Sequence, residues 1–487
     1  MIDPQDLERR LHERGLAPRW KGDPPPGFDS VVTDSREVRP GVLFCALRGI
    51  EYDGHDFVAR AAAAGATAAL VEEVVPDVTI PQLQVSDTRA ATAHVASLFY
   101  GDPAEELSLV GITGTNGKTT TALIVRHLLA GEAPAGVVGT LGWFDTAGNR
   151  HSGRLTTPDP LDLMSILRAL RSEGASFAAM EVSSHALDQR RIAGLTFDAA
   201  VFTNLTHEHL DYHPDLAAYR DAKLRLARQV SSAGTCVVND DDPSWSTADF
   251  AGRMVVRYGL NSSAEVRATG VVLTSAGSEW TLETPEGRWA VRLPLLGEFN
   301  VHNALGAAAA ARALGLDAAL VAERLSTAPQ VPGRMEMLAD EPVLVLRDYM
   351  HTPDAYTRVL QTLASQAGSG RLFIVFGCGG DRDRAKRPLM GRIAAQYTDL
   401  AIITTDNPRS EDPSDICADI TRDMPPDSYR IVLDREEAID LVLREAVPGD
   451  IVLLAGKGHE TYQDIAGQRV PFDEAAIVSA RTVGGRS

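Results

Sequence analysis

The segment 111–121, which reads GITGTNGKTTT, constrains the fold more than any other part of this sequence. It lies between an apolar run at 107–112 and the run 122–129, which has helical periodicity and contains neither Gly nor Pro. A loop that leads from a strand into a helix directs backbone N–H groups and the positive end of the helix dipole at one point, where they attract phosphate oxygens. The segment therefore predicts a site for a nucleotide triphosphate.

The side chains of this loop fit the same interpretation. Gly114 and Gly117 allow close approach of the backbone, Lys118 can neutralise the outer phosphates, and the Thr119 hydroxyl can ligate Mg²⁺. The spacing differs from the standard phosphate loop, because five residues rather than four separate Gly111 from Gly117. The alternative is a turn rich in Gly and Thr with a solvated lysine, and the strand-turn-helix context favours the phosphate site.

Length, charge and cysteine content limit the classes of protein to consider. A chain of 487 residues predicts about three domains, and a net charge of -19 argues against nucleic acid or an anionic membrane as a partner. The four cysteines are scattered without a C-x-x-C pair, so we expect neither a zinc ribbon nor disulfides, and a reducing cytoplasm fits best. We also expect no export signal and no membrane span, and without an obvious apolar stripe we expect a monomer.

The chain divides into three alternating sets of strand and helix candidates. Residues 1–105 form a module ahead of the phosphate loop, and strands alternating with helices over 106–335 predict a doubly wound parallel sheet. A third alternating set occupies 336–487, and its strand candidates end in polar, often glycine-rich segments. Ligands of such sheets bind beyond the carboxyl ends of the strands.

Several polar residues follow strand candidates in the central region. Glu181 comes after FAAM and could hold Mg²⁺, although taken alone an ordinary strand-end acid is the better interpretation. The segment 203–213 contains three histidines and two acids, which suggests metal or phosphate contacts; no thiolate joins them, so Mg²⁺ suits them better than zinc. From periodicity alone, Lys223 is a solvated helix lysine.

Ten segments, in order along nearly the whole chain, resemble the Mur ligases, and within that family the members that add the third residue of the peptidoglycan precursor. The segments are GITGTNGKTTT, MEVSSHALDQRR, FTNLTHEHLDYH, YRDAKLRL, GEFNVHNALGA, VPGRMEM, DYMHTPDA, GCGGDRDRAKRPLMG, DNPR and AGKGHETYQ. Ten ordered matches make a chance resemblance implausible.

The resemblance implies a fold and an activity. The fold has three α/β domains: an N-terminal domain for the UDP end of the substrate, a central phosphate-loop ATPase and a Rossmann-like C-terminal domain that binds the amino acid. ATP phosphorylates the glutamate carboxylate of UDP-MurNAc-L-Ala-D-Glu, the amine of diaminopimelate attacks the acyl phosphate, and phosphate leaves. The implied partners are these three small molecules together with two Mg²⁺ ions.

The resemblance also implies roles for the residues of the central region. Thr119, Glu181 and His209 would serve the magnesium ions, and Lys118 would stabilise charge on the transferring phosphoryl group. Lys223 stands where the family carries a carbamylated lysine, and a carbamate converts that cation into an anion able to ligate the second Mg²⁺. The resemblance thus replaces the solvated-lysine interpretation of Lys223.

The remaining implied contacts are grouped by ligand. The nucleotide would contact Gly114, Thr115, Asn116, Gly117, Lys118, Thr119, Thr120, Asn303, Arg334, Asp348 and His351. The UDP substrate would contact Thr33, Ser35, the turn after Gly49, Thr156, Thr157, Ser183, Gln189 and Arg191. Diaminopimelate would contact Arg382, Asp406, Asn407, Pro408, Arg409, Gly456 and Glu460.

Specificity for the amino acid is expected to rest on Arg409, because diaminopimelate has a distal carboxylate that lysine lacks and a guanidinium binds a carboxylate through two parallel hydrogen bonds. Two departures from the family pattern are visible. His207-Glu208 stands where Arg-Asp is common, and Met350 replaces a small alanine, which is expected to reshape the nucleotide pocket.

Three alternative functions fit the sequence less well. A folylpolyglutamate synthetase shares the ATPase and C-terminal layout but lacks the first module, and DNPR has no purpose there. A lysine-adding relative would leave Arg409 without its carboxylate partner. A nucleotide-gated binding or regulatory protein without catalysis would be expected to lose metal acids or the lysine, whereas this chain carries the whole set.

Overall fold

We describe the protein from a computed structural model, which describes residues 2–49, 52–206, 208 and 212–483. The chain divides into two compact units. The first consists of Met1–Thr269, Leu282–Trp289 and His302–Arg324, and the second of Gly270–Thr281, Ala290–Val301 and Leu325–Ser487. Within the described ranges, none of the helices combines the length and the apolar character needed to cross a membrane. The domain boundaries near 105 and 335 stay predictions.

The N-terminal part of the first unit contains a five-stranded sheet. Its strands are β1 (Arg19–Lys21), β2 (Ser30–Val32), β3 (Val42–Cys45), β4 (Ala68–Val71) and β5 (Gln82–Gln84). They lie in the order β1-β5-β4-β3-β2, with β1 antiparallel to β5 and the other neighbours parallel. The helices of this part are α1 (Pro4–Glu13), α2 (Val58–Ala63) and α3 (Thr88–Phe99).

A second sheet has eleven strands and includes the apolar run before the glycine-rich loop. The strands are β6 (Ser108–Thr113), β7 (Ala135–Gly139), β8 (Gly142–Phe144), β9 (Arg150–His151), β10 (Phe177–Glu181), β11 (Phe197–Phe202), β12 (Val230–Asn239), β13 (Met254–Gly259), β14 (Val266–Thr274), β15 (Gly277–Thr284) and β16 (Gly287–Leu293). The helices that follow in this region are α4 (Lys118–Ala130), α5 (Pro160–Ser172), α6 (Ser184–Asp188), α7 (Leu216–Leu224), α8 (Glu298–Ala313) and α9 (Ala318–Leu325).

The strand order of this sheet is β16-β15-β14-β13-β12-β11-β6-β10-β7-β8-β9. The strands from β14 to β7 are parallel, and β8 and β9 add an antiparallel edge. From β6 the chain passes first to β7 and later returns to β10, which lies between β6 and β7, and then crosses to β11 and β12 on the other side of β6. The predicted doubly wound sheet is confirmed, and its switch point lies beside β6, where ligands of such sheets bind.

The second unit contains a six-stranded sheet and a short hairpin. The strands are β17 (Glu336–Ala339), β18 (Leu344–Asp348), β19 (Leu372–Phe376), β20 (Leu400–Ile403), β21 (Tyr429–Ile431), β22 (Ile451–Ala455), β23 (Tyr462–Ile465) and β24 (Gln468–Pro471). The sheet order is β17-β18-β22-β19-β20-β21, in which only β17 is antiparallel to its neighbour, and β23 pairs with β24. Its helices are α10 (Pro353–Gln366), α11 (Lys386–Tyr397), α12 (Pro413–Thr421), α13 (Arg435–Glu445) and α14 (Glu474–Val483).

Both faces of this six-stranded sheet are buried. Leu453 of β22 belongs to an apolar cluster that includes Leu360 of α10 and Ile420 of α12, whereas the next residue, Leu454, belongs to a cluster that includes Ile439 of α13. Successive side chains of a strand point to opposite faces, so an uninterrupted apolar run such as IVLLA is what a strand covered on both faces requires. Because the strands from β18 to β21 in this sheet are parallel, their carboxyl ends lie at one edge.

A buried ion pair holds α14 to this sheet. The Arg435 side chain donates to Glu474 Oε1 at 2.8–2.9 Å, and neither side chain is exposed. Arg435 also donates to the carbonyl oxygen of Ala455, the last residue of β22, at 2.8 Å. The pair thus links the C-terminal helix to a strand end at the edge where ligands bind.

We expect Glu474→Ala to lower the free energy of unfolding by about 3–5 kcal/mol, because it leaves the Arg435 guanidinium buried without its carboxylate. Arg481→Ala is the matched control, since Arg481 lies on the same helix and its partners, Glu436 and Asp440, are solvent-accessible. Urea unfolding followed by circular dichroism measures both variants. Equal stability of the two variants would contradict the role assigned to the buried pair.

Candidate active site

The glycine-rich loop connects β6 to α4 and depends on two glycines. Gly114 has φ 146° and Gly117 has φ 85°, a region of backbone conformation that favours glycine. A Cβ on Gly114 would overlap the Thr203 hydroxyl, and one on Gly117 would overlap the Asn303 side-chain oxygen. Asn303 of α8, predicted to contact the nucleotide, therefore lies directly against the loop.

The end of β11 locks the loop in place. The N–H groups of Thr115 and Asn116 donate to the backbone and side-chain oxygens of Asn204 at 2.7 and 2.9 Å, and the Thr203 hydroxyl donates to the Asn116 carbonyl at 2.7 Å. Two N–H groups predicted to face phosphate are thus used inside the protein. The start of α4, at 117–120, remains the anion-attracting part of the loop, because the first N–H groups of a helix have no partner within it.

Sequence reasoning included Thr203 and Asn204 only as the start of the segment 203–213 and gave neither residue a role of its own. The available signal was their position: two polar side chains follow an apolar strand candidate, and the strand end next to the switch point faces the loop. The register pairs Phe202 with Thr113, so the residues after each strand meet.

Two lysine side chains converge on this loop. Lys118 Nζ donates to the carbonyl oxygens of Gly114 and Thr115 at 3.0 and 2.7 Å. Lys223 Nζ donates to the same Gly114 oxygen at 2.7 Å and lies 4.3 Å from the centre of the Tyr219 ring. Lys223 is only 1% exposed, so the interpretation from periodicity as a solvated lysine is wrong. Helix α7 turns this face toward the loop rather than toward water.

Burial strongly affects the Lys223 amine. Burial first, and then the positive charge of Lys118, lower the pKa of Lys223 well below its usual value, while the Glu208 carboxylate acts in the opposite direction. A neutral amine carries the lone pair that is needed to react with carbon dioxide. The environment of Lys223 thus favours the chemistry that forms a carbamate.

Glu181 ends β10, next to the loop strand β6, and is 2% exposed. Its two carboxylate oxygens accept hydrogen bonds from the N–H and the hydroxyl of Thr140 at 2.8 and 3.0 Å. A Cβ on Gly139 would overlap this carboxylate. Glu181 and Thr119 line one small pocket, and carboxylate and hydroxyl oxygens are ligands that Mg²⁺ prefers, so these residues fit the ion. His209, the third expected ligand, lies outside the described residues.

Four of the residues predicted to contact the UDP substrate form one cluster beside Glu181. The Thr157 hydroxyl donates to the Glu181 carbonyl at 2.8 Å and accepts from the Ser183 N–H at 3.0 Å. Arg191 donates to the Thr157 carbonyl at 3.0 Å and to the Gln189 side-chain oxygen at 2.7 Å. Sequence positions from 157 to 191 are therefore brought together at the end of β10.

Of three further residues predicted to contact the UDP substrate, one lies beside this cluster and two follow strand β2 of the first sheet. The Thr156 hydroxyl lies 3.1 Å from that of Thr140, which joins it to the Glu181 cluster. Thr33 follows β2 and is exposed, and Ser35 begins a short 3-10 turn. The turn after Gly49 involves residues 50 and 51, which lie outside the described residues.

In the second unit, the residues that the resemblance predicts to contact the nucleotide lie around the end of β18. Asp348 is buried, accepts from the N–H groups of Met335 and Met350 at 2.7 Å each, and its pKa is raised by burial. The Arg334 guanidinium lies 5.0 Å from the centre of the Tyr349 ring. The Met350 side chain is 2% exposed and belongs to an apolar core cluster of the unit, so an effect on nucleotide binding would pass through core packing. The ring of His351, the last of these residues, lies 5.1 Å from that of Tyr349.

The Asp406–Arg409 segment follows β20, and the backbone of Arg409 is held on two sides. Arg409 has φ 51°, its N–H donates to the Asp464 carbonyl at 3.0 Å, and its carbonyl accepts from Ala466 at 2.8 Å. Its guanidinium donates to the Gly380 carbonyl and lies 3.9 Å from the Asp464 carboxylate. The β23–β24 hairpin and the loop after β19 therefore fix the direction of this arginine.

Arg387 and Glu411 form an ion pair, called the clamp below, that joins the start of α11, which follows the loop after β19, to the segment after β20. Arg387 is fully buried and donates two hydrogen bonds, at 2.9 and 3.0 Å, to Glu411, whose pKa is lowered to about 2 chiefly by these bonds. Glu411 also accepts from the Asp381 N–H at 2.6 Å. The clamp ties the loop that carries Arg382, an exposed side chain, to the segment that carries Arg409. Pro408 lies in this segment, and its carbonyl leaves no room for a Cβ on Gly380.

A fully buried lysine links the other predicted amino-acid contacts. Lys457 Nζ donates to Asp406 and Glu460 at 3.2 Å each and to the Asn407 side-chain oxygen at 2.9 Å. A Cβ on Gly456 would crowd the Asp406 carboxylate. Sequence reasoning selected Gly456 and Glu460 from the segment AGKGHETYQ but passed over the lysine between them, although a lysine in a glycine-rich strand end was itself a signal.

Comparison with known proteins gives consistent matches along the chain. Family models match residues 28–100 (Mur ligase family, catalytic domain), 112–311 (Mur ligase middle domain) and 333–458 (Mur ligase, glutamate ligase domain). A protein named UDP-N-acetylmuramoyl-L-alanyl-D-glutamate--2,6-diaminopimelate ligase from Gloeobacter violaceus is 44% identical over 91% of each chain. A protein of the same name from Geobacillus thermodenitrificans is 42% identical over 93% of this chain and 95% of its own.

A solved structure of a protein with this name is 34% identical, covers 96% of this chain and 98% of its own, and superimposes with a TM-score of 0.69. The matches extend through all three sheets described above, and the three-domain α/β class predicted from the sequence is confirmed. The resemblance inferred from ten short segments is likewise confirmed, and the chain belongs to the Mur ligase family.

Proposed function

We propose that this enzyme is an ATP-dependent ligase that joins diaminopimelate to the D-glutamate of UDP-MurNAc-L-Ala-D-Glu, forming ADP and phosphate. The observation that carries the proposal is the fixed direction of Arg409, on a segment that Arg387 and Glu411 tie to the loop that carries Arg382. Relatives that are 44% and 42% identical bear the name of this activity. We assign residues 1–105 to the UDP end, 106–335 to ATP and 336–487 to the amino acid.

The first step transfers the γ-phosphoryl group of ATP to the glutamate carboxylate. The start of α4 would hold the phosphates through backbone N–H groups, and Lys118 would exchange its bonds to Gly114 and Thr115 for phosphate oxygens. Thr119 and Glu181 would hold Mg²⁺, which supplies neutralisation of the charge that builds up on the phosphoryl oxygens.

Lys223 would act in the same step as a carbamate. Its neutral amine attacks carbon dioxide, a C–N bond forms, and one proton is released, which leaves a carboxylate on the former lysine nitrogen. The product is an anion on a group that lies against the Gly114 carbonyl and beside Lys118. The local charge thus changes from the single cation of Lys118 to one cation and one anion, and the oxygens of the anion are suited to a second Mg²⁺.

The second step joins the amino acid to the activated acid. The neutral amine of diaminopimelate attacks the acyl-phosphate carbon, a tetrahedral intermediate forms and loses one proton from its nitrogen, and the C–O bond to phosphate breaks as the amide forms. In the second unit, Arg382 and Arg409 would bind the distal carboxylate, and Asp406 and Glu460 would accept hydrogen bonds from the ammonium group that does not react. Because the Arg409 guanidinium is already held in one direction, it loses little conformational entropy on binding, which favours a substrate with a carboxylate at this position.

Purified protein with ATP, Mg²⁺ and UDP-MurNAc-L-Ala-D-Glu is expected to release phosphate when diaminopimelate is added. Lysine should support release at least about tenfold less well, because it leaves the partly buried, charged Arg409 guanidinium without a substrate carboxylate. Phosphate release at a range of amino-acid concentrations measures both. Equal or greater release with lysine would contradict the assigned specificity, and release with glutamate and a folate in place of the UDP substrate would favour a folylpolyglutamate synthetase.

Lys223→Ala is expected to lose nearly all ligase activity, and bicarbonate should not restore it because no amine remains to carry the carbamate. Lys21→Ala is the matched control, since Lys21 lies exposed in β1. ¹³C NMR of protein equilibrated with ¹³C-bicarbonate should show a carbamate carbon in the wild type and in Lys21→Ala and none in Lys223→Ala. Full activity of Lys223→Ala would remove the carbamate from the mechanism.

Arg409→Ala is expected to raise the KM for diaminopimelate by roughly tenfold to hundredfold, which corresponds to the loss of a charged hydrogen bond of about 1.5–3 kcal/mol. The KM for UDP-MurNAc-L-Ala-D-Glu should stay unchanged. Arg430→Ala serves as the control, because Arg430 is an exposed arginine on β21. A KM for diaminopimelate that is the same in all three proteins would disprove the proposed contact.

A further inference from the structure

Lys457 is a fully buried lysine of the second unit that has no role in the proposed reaction. It follows β22, and its side chain has no exposed surface. Lysine is seldom buried completely, because removing an ammonium group from water is unfavourable unless its hydrogen bonds and charge are balanced. Nζ has three donors, and three side-chain oxygens lie within 3.2 Å of it.

The partners of Lys457 come from two separate segments of the chain. Asp406 and Asn407 follow β20, and Glu460 lies three residues after the lysine in the loop before β23. The Asn407 amide group also donates to the Glu460 carboxylate at 2.9 Å, and the Asn407 oxygen accepts from the Asp464 N–H at 2.9 Å. One ammonium group therefore joins the segment that carries Arg409 to the loop that carries Glu460.

The charges of this cluster have a direct consequence for recognition. Asp406 and Glu460 contribute two negative charges and Lys457 one positive charge, so the cluster carries one net negative charge. Without the lysine, two largely buried carboxylates would face one another within the reach of a single side chain, and like charges at such distances are unfavourable. With it, the cluster is matched to one ammonium group of an incoming amino acid.

We infer that Lys457 is a positioning residue for the amino-acid substrate: it holds Asp406, Asn407 and Glu460 in one arrangement and sets the net charge that receives a substrate ammonium group. The inference rests on the proposed function, because it concerns the amino-acid site of that reaction. Lys457 acts through its three partners and does not itself contact the substrate. Its effect is thus on the geometry and charge of the groups that do.

The neighbouring segments explain why this lysine is held so firmly. Gly456 has φ 104° and Gly458 has φ 51°, so the lysine lies between two residues in the backbone region that favours glycine. A Cβ on Gly456 would crowd Asp406, and one on Gly458 would crowd Tyr349. The backbone on both sides of Lys457 therefore packs too closely for a side chain, and the ammonium group is directed at the cluster.

The test is steady-state kinetics of Lys457→Met, which keeps an unbranched side chain only one atom shorter and removes its charge. We expect the KM for diaminopimelate to rise at least about tenfold, as for the loss of charged hydrogen bonds, with a smaller change in kcat. The KM for UDP-MurNAc-L-Ala-D-Glu should change less than twofold. Circular dichroism and the thermal midpoint establish that the variant is folded.

The double variant Lys457→Met/Glu460→Gln removes one charge of each sign and restores one net negative charge to the cluster. Its rise in KM should be at least about fivefold smaller than the product of the rises in the two single variants, because residues in one network do not act independently. It also relieves the like-charge pair, so if Lys457→Met does not fold, the KM of the double variant is compared with that of Glu460→Gln alone, which should be the higher because its cluster carries no net charge. A rise in the KM of the double variant equal to the product of the rises in the two single variants, or an unchanged KM in folded Lys457→Met, would overturn the inference.

The wild-type enzyme separates this inference from the proposed function. Wild-type protein that releases no phosphate with diaminopimelate would disprove the function itself. Wild-type protein that uses diaminopimelate, together with a folded Lys457→Met variant whose KM is unchanged, would overturn only the role of Lys457.

Discussion

The hydrogen bonds between the glycine-rich loop and the end of β11 are the interaction on which the first unit's site depends. The loop at 114–117 could adopt other conformations, because glycines restrict the backbone little. Asn204 accepts from two successive loop N–H groups, and Thr203 donates to a loop carbonyl, so the strand end selects one conformation. That conformation directs the Gly114 carbonyl at Lys118 and Lys223 together.

Local positive charge has to be concentrated in a protein whose net charge is -19. Binding of anionic substrates by such a chain requires cations that are fixed by their surroundings, because a mobile surface lysine gains little from a single ion pair. In the first unit Lys118 hydrogen-bonds to two backbone carbonyls, and in the second Arg409 hydrogen-bonds to the Gly380 carbonyl. The same physical solution therefore occurs in both units with different partners.

Some elements could be predicted from the sequence because their signals are local. The apolar run 107–112, the glycines after it and the helical periodicity of 122–129 together predicted β6, the loop and α4, and ten short segments predicted the family that the comparisons support. Lys223 shows where local signals fail: its helix periodicity is that of a solvated lysine, yet it is 1% exposed. Only packing of α7 against the loop buries it, and no pattern within seven or eight residues contains that information.

The sequence by itself determined the fold class, the phosphate loop and the residues that end the strands, because strand and helix periods and glycine positions act over a few neighbours. The tertiary structure decided which of those strand ends face one another, since the order β11-β6-β10 joins residues that are about seventy to ninety positions apart. It also decided that Lys457 neutralises Asp406 and Glu460, and that Thr115 and Asn116 donate to Asn204 rather than outward. Hydrogen bonds and buried charges between distant segments depend on three-dimensional proximity, which composition and spacing along one chain do not encode.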